Sequence, residues 1–260
     1  MATIVFVHAH PDDEAGLTGG SMARAAAEGH RVVLVVCTDG AHGETPDDLA
    51  EGETLVARRR TESAASAAAL GIADVRWLGY RDSGMSGWEQ NADPDAFCQA
   101  DVDEAGERLA AILRDERADV VVLYDWHGNY GHPDHVHVHR VGHRAADLAG
   151  TRRRFEATFN RDFMTRSAEL MPEAPEGEFD PNGPMDDGNP LGTPEAELTL
   201  AVDVSPYLEH KRKALAAHAS QVTDIGMMLS MPPAAFDAFF GTEWFIEPGV
   251  PGPPEPGWPF

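Results

Sequence analysis

The chain has almost no cysteine and almost no lysine. Its 260 residues contain two cysteines, Cys37 and Cys98, and its only lysines are Lys211 and Lys213. Two cysteines cannot build a zinc knuckle or a disulfide scaffold, and Cys37, at the end of an apolar run, reads as a small buried hydrophobe. With 20 basic against 44 acidic residues the formal charge is -24. A surface so acidic repels phosphate backbones and anionic lipid heads, so neither nucleic acid nor membrane is expected as a partner. No apolar stretch approaches the roughly 18 residues that a membrane span needs. The N-terminus has no basic lead and no small-residue cleavage pattern. It is expected to be a first strand and not a signal peptide, which points to the cytoplasm.

What the sequence does have is alternation of two kinds of segment. Residues 3–8, 31–37, 75–78 and 119–124 are apolar and largely β-branched, and between them residues 15–28, 53–70, 102–116 and 134–148 have helical composition. Strands apolar on both faces and separated by helices predict a Rossmann-like, doubly wound α/β fold with a mostly parallel sheet. Further strands are expected at 155–160 and 198–204 and a helix over 205–220. The acidic, Pro- and Gly-rich segment 172–197 is expected to be a lid or a mobile loop. The expected organisation is a core over 1–150, a C-terminal part over 151–246 that completes the pocket, and a Pro-rich extended tail over 247–260.

Chemistry concentrates at two strand ends. The first strand runs into His10-Pro11-Asp12-Asp13-Glu14, and the fourth into Asp125-Trp126-His127-Gly128-Asn129-Tyr130-Gly131-His132-Pro133-Asp134-His135. In an open parallel sheet ligands bind beyond the carboxyl ends of the strands. Two histidines and a carboxylate are a ligand set of catalytic zinc, which keeps a fourth position for water, and His10, Asp13 and His135 satisfy that count. The competing reading makes the Asp12-Asp13 pair a helix N-cap. Gly16, Gly19 and Gly20 do not form Gly-x-Gly-x-x-Gly, and the acids in that turn would repel a pyrophosphate, so no nucleotide cofactor is expected.

Ala9-His10-Pro11-Asp12-Asp13-Glu14 resembles the signature of the LmbE/PIG-L-type zinc de-N-acetylases, and Tyr130-Gly131-His132-Pro133-Asp134-His135 resembles their second motif. Thr38-Asp39-Gly40, Arg59-x-x-Glu62 and Arg81-Asp82-Ser83-Gly84-Met85 match family positions in the same order. The resemblance spans most of residues 3–145, with weaker likeness at 213–221 and 240–245. It implies His10, Asp13 and His135 as ligands of Zn2+ (Fe2+ or another divalent ion being alternatives), Asp12 as general base, His132 as second catalytic histidine and Tyr130 near the carbonyl oxygen. A protonated His132 would then help to stabilise the oxyanion, with Asp134 holding its tautomer. Either Asp12 or His132 would protonate the leaving amine.

The implied reaction is hydrolysis of an N-acetyl group on a glucosamine-like glycoside, releasing acetate and a free amine. Alternatives are an amidase for mycothiol-type thiol conjugates, a metal-dependent phosphoesterase and a non-catalytic sugar-binding protein. A phosphoesterase usually takes two metals, and the ligands here suffice for one. Arg59, Glu62 and Asp82 are candidates for sugar hydroxyls, against an Arg59–Glu62 ion pair and a plain turn at Asp82. His42 and His127 are candidates for tuning substrate choice, and His218 and Gln221 for reaching the pocket. His8 and His139 are expected to be structural. Asp125-Trp126-His127 stands where the family has Asp-Pro-Asn, which places a bulky indole in the expected pocket wall. Assembly into a homo-oligomer is left open.

Overall fold

Odd and even residues of the central strands face different helices, which is why these strands are apolar throughout. In the structure, a computed structural model describing residues 1–169 and 180–260, Ile4 and Phe6 of β1 (Thr3–His8) join one core. Val5 and Val7 join the other. The chain continues through α1 (Asp13–Leu17), α2 (Gly19–Ala27), β2 (Arg31–Thr38), α3 (Leu55–Leu70) and β3 (Asp74–Tyr80). Next come α4 (Val102–Asp115), β4 (Val120–Tyr124), α5 (Pro133–Ala149), β5 (Arg153–Thr158) and α6 (Arg161–Glu169). It ends with β6 (Leu200–Asp203), α7 (Leu208–Ala217), α8 (Val222–Ser230), α9 (Pro233–Phe240), β7 (Thr242–Ile246) and β8 (Glu255–Pro256).

The sheet order is β3-β2-β1-β4-β5-β7-β6-β8. The first five strands are parallel, β7 is antiparallel to both β5 and β6, and β8 is a two-residue parallel edge beside β6. Met22, Leu70 and Leu215 from α2, α3 and α7 cover one face of the central strands. Leu109, Leu113, Val138 and Val141 from α4 and α5 cover the other. The fold is thus the Rossmann-like α/β arrangement expected, and the order reverses between β1 and β4, the two strands that carry the histidine clusters. Among the described residues no helix is long and apolar enough to cross a membrane.

Three segments differ from expectation. The helix expected over 15–28 is two helices, because Thr18 leaves helical geometry (φ -128) and its hydroxyl meets His8 Nε2 at 2.8 Å. The helices α6, α8 and α9 and the strand β7 have no counterpart in the sequence reading. Of segment 172–197, residues 172–179 lie outside the described residues; residues 186–193 pack on the loop after β4, with Asp186 N donating to Tyr130 O at 3.1 Å and Gly192 N to Asn129 O at 2.6 Å. Gly131, at φ +87, permits this approach: a Cβ there would lie 2.5 Å from Asp187 N.

The only fully buried lysine forms a second organising point. Lys211 Nζ donates to Glu243 Oε1 at 2.7 Å, and the same carboxylate accepts from Gly20 N and Ser21 N, each at 2.8 Å. One side chain of β7 therefore ties α7 to the first turn of α2, whose unpaired N–H groups favour an anion.

Candidate metal centre and pocket

The loop after β1 is held open by a strained residue. Asp12 has φ 99, a left-handed conformation that costs a non-glycine residue about 1–3 kcal/mol unless its neighbours impose it. They do so from two sides. Asp12 N donates to Glu14 Oε2 at 3.0 Å, and the Arg59 guanidinium donates to Asp12 Oδ2 at 2.7 Å and also to the Pro11 carbonyl. Glu14, fully buried, is itself fixed by Ser66 Oγ at 2.5 Å and His218 Nε2 at 2.7 Å. Asp12 precedes α1, yet its side chain makes no cap hydrogen bond; the carboxylate lines the pocket instead. Burial pushes its carboxyl up to about 6, with Arg59 opposing the rise.

Three donor atoms meet beside it. His10 Nδ1 lies 3.4 Å from Asp13 Oδ2, His135 Nε2 lies 3.4 Å from the same oxygen, and the two nitrogens are 3.3 Å apart. Ligands about 2.0–2.1 Å from a tetrahedral ion are separated by roughly 3.3 Å, so the triangle has the size of one face of a zinc tetrahedron. The donor chemistry and spacing both fit such an ion. The far nitrogen of His10, Nε2, faces Asp134 Oδ2 at 3.3 Å and Asp82 Oδ1 at 3.5 Å, the carboxylate backing typical of a metal-binding imidazole.

The other histidine of the second motif is held differently. His132 caps α5, its Nδ1 accepting from Asp134 N at 3.2 Å, and Pro133 follows at the first turn. Nδ1 is therefore the acceptor and Nε2 carries the hydrogen. Burial, then the adjacent His10 and His135, push His132 far below the ordinary imidazole value. With Nδ1 engaged by the Asp134 N–H, the ring offers Nε2–H as a donor, and His132 lines the pocket. The Asp134 carboxylate orients His10, and only its backbone N–H meets the His132 ring. Tyr130 Oη lies 3.4 Å from His135 Nε2, and burial raises its pKa, keeping the hydroxyl protonated.

The remaining candidates divide. His42, Arg59, Asp82 and Gln221 line a cavity of about 480 Å³. Arg59 is largely committed to Asp12, Pro11 and Gly40, and Glu62 binds Ser220 rather than Arg59. Asp82 accepts from His42 N at 3.0 Å and Gly84 N at 2.8 Å and backs His10, so its oxygens are engaged by the protein. His127 is not at the pocket: it is 1% exposed, with Nε2 against Gly192 O at 3.2 Å and Nδ1 facing Asp187 at 3.4 Å. Trp126 is 57% exposed and stacks on His127, outside the pocket wall. His218 lies behind the site on Glu14. His127→Leu is expected to leave KM unchanged and to lower stability by about 1 kcal/mol through the lost hydrogen bond, as steady-state kinetics and urea melts would report.

Sequence reasoning missed the apolar half of the cavity: Leu17, Phe159, Met164, Ile225, Met228 and Phe240. It also missed Tyr124, whose Oη meets His8 Nδ1 at 2.8 Å and whose ring packs on His135. The apolar run through α8 and α9 was the available signal for the pocket wall.

A three-donor set open to a cavity, with a carboxylate beside it that is not among the donors, is the design of mononuclear metal-dependent hydrolases. A profile of the PIG-L family, described as GlcNAc-PI de-N-acetylase, matches residues 5–146, and the chain belongs to that family. It is 43% identical over 263 residues to the 1D-myo-inositol 2-acetamido-2-deoxy-alpha-D-glucopyranoside deacetylase of Thermobifida fusca, covering 93% of this chain and 91% of that protein. The protein of the same name from Thermobispora bispora is 40% identical, with 98% and 91% covered. Among solved structures, the conserved protein TT1542 from Thermus thermophilus aligns with a TM-score of 0.61 at 22% identity, covering 97% of this chain and 96% of that one. The N,N'-diacetylchitobiose deacetylase of Pyrococcus horikoshii aligns with a TM-score of 0.57 at 24% identity, with 95% and 82% covered. At such identities these two structures speak for the fold alone.

Proposed function

We propose that the chain hydrolyses the acetamide of 1D-myo-inositol 2-acetamido-2-deoxy-α-D-glucopyranoside, giving acetate and the free amine, with Zn2+ held by His10 Nδ1, Asp13 Oδ2 and His135 Nε2. The observation that carries the chemistry is the triangle of three donors 3.3–3.4 Å apart, with the Asp12 carboxylate, not among them, lining the same pocket. The substrate rests on relatives at 40% identity or more across over 90% of the chain. Such an ion supplies Lewis acidity, bringing the pKa of water toward neutrality and drawing electrons from a carbonyl.

The protein's own groups divide the remaining work. Asp12, aimed by Arg59 and Glu14, takes the proton of the attacking water. His132 Nε2–H and the Tyr130 hydroxyl donate to the carbonyl oxygen as it becomes negative. Asp12, by then protonated, returns its proton to the departing amine; His132 is less suited, because its Nδ1 faces an N–H and cannot be replenished from that side. His42 sits on the polar side of the cavity, where sugar hydroxyls need partners, whereas the Gln221 amide is taken up by Glu44 and Ser220.

The test is release of the free amine from this glycoside, with acetate as its co-product, using other N-acetyl sugars and an amide-linked thiol conjugate as comparators read by the same amine release. Activity is expected on the inositol glycoside, to be lost with a chelator and to return on adding Zn2+. Amine release indifferent to chelator would remove the metal from the reaction, and release from none of these compounds would overturn the proposal.

A further inference from the structure

Two of the histidines on α5 belong neither to the pocket nor to its support. His139 and His143 are one helical turn apart, and Glu156 of β5 faces them: a donor atom of each residue lies within 4.8 Å of the other two. His143 Nε2 is 2.7 Å from Glu156 Oε1, His139 Nδ1 is 3.7 Å from the same oxygen, and the two rings are 4.5 Å apart. The side chains are 23%, 23% and 11% exposed, which leaves the group sheltered but reachable from solvent.

We propose that His139, His143 and Glu156 form a second binding site for a divalent transition-metal ion, independent of the pocket. Two imidazoles at i and i+4 on a helix with a carboxylate from a neighbouring element are a recurrent ligand set for zinc and its neighbours in the series. His139 Nδ1, which lies 3.7 Å from Glu156 Oε1, is also 3.1 Å from the Tyr124 carbonyl, to which it can only donate, so an ion would be taken by the lone pair of Nε2 on the same ring. A metal-binding imidazole is usually anchored in this way. Burial lowers the His139 pKa, which keeps that lone pair available at neutral pH. His143 now shares its Nε2 hydrogen with Glu156. On binding an ion, the ring's single proton moves to Nδ1. Arg154 Nη1, now 3.4 Å from that nitrogen, is released to Asp147, to which Nη2 already donates at 2.8 Å. No net proton is lost.

The two sites are not a binuclear centre. His143 follows His135 by two helical turns, about 12 Å along the axis, whereas paired catalytic ions sit about 3.5–4 Å apart. The ion would instead tie α5 to β5 and act on stability, not on turnover.

The experiment is equilibrium dialysis of the full chain against Zn2+ alone, with bound metal counted by elemental analysis. Wild type is expected to hold two equivalents; His143→Gln, whose amide can still donate to Glu156 and so preserve the fold, is expected to hold one. Asp13→Ala is expected to hold one, and the double variant none. Zn2+ titrated beyond the first equivalent is expected to raise the melting temperature of wild type and not of His143→Gln, with acetate release unchanged by that substitution. One equivalent in wild type that His143→Gln keeps, or two in His143→Gln, overturns the second site; one equivalent that Asp13→Ala keeps and His143→Gln loses would instead uphold it and count against the first.

Discussion

Asp12→Asn is expected to lower kcat by about 10²–10⁴-fold, the usual worth of a positioned general base, while zinc content and KM stay near those of wild type. The substitution isolates the proton transfer. An asparagine oxygen can still accept from Arg59, which donates at 2.7 Å to the carboxylate. Asparagine also tolerates the positive φ that residue 12 requires better than most residues, so the strained turn and the neighbouring Asp13 carboxylate stay in place. Steady-state kinetics beside metal analysis of the same preparation decides the matter. A variant that keeps more than a tenth of wild-type kcat would show that another group takes the proton. One that also loses its zinc would show that residue 12 serves the ligands.

Glu243→Ala is expected to be the most destabilising single change, costing about 3–5 kcal/mol, because it leaves a buried lysine without its counter-charge. It also strips the first turn of α2 of the acceptor that satisfies Gly20 N and Ser21 N. Lys211→Met should cost less, since it removes the charge that needs compensation and the carboxylate keeps its two backbone donors. Urea denaturation of the two variants and of the pair tests this. Equal losses from both single changes would mean that the Lys211–Glu243 contact, not the stranded charge, sets the cost.

The sequence disclosed what its periodicity encodes. β1, β2 and β4 are uninterrupted apolar runs buried on both faces, and α5 begins with Pro133 and ends at Gly150 with φ 75, so both type and boundaries could be read. The C-terminal half resisted because its signals conflict. β7 is five residues long and carries a buried glutamate, which reads as a polar interruption until Lys211 is found opposite. α8 and α9 are apolar around most of their circumference and separated by Met231-Pro232, with a second proline opening α9, so they suggest a loop as readily as two pocket helices. In the site, residue types and spacing located the two loops but not the direction of each side chain. His127 and Trp126 lie within the second cluster by sequence, yet the chain reverses through Gly128 and Asn129 at φ 66 and 70 and sends them away from the cavity. Asp82 and Arg59 reach the pocket wall but are occupied in holding His10 and Asp12.

All three donors and Asp12 come from the first 135 residues, whereas most of the apolar wall, from Phe159, Met164, Ile225, Met228 and Phe240, comes from beyond residue 158. Donor set and apolar wall are therefore written on separate stretches of one chain. Exchanging the α8–α9 segment for another sequence is expected to re-cut the apolar wall of the cavity without disturbing the three donors or Asp12.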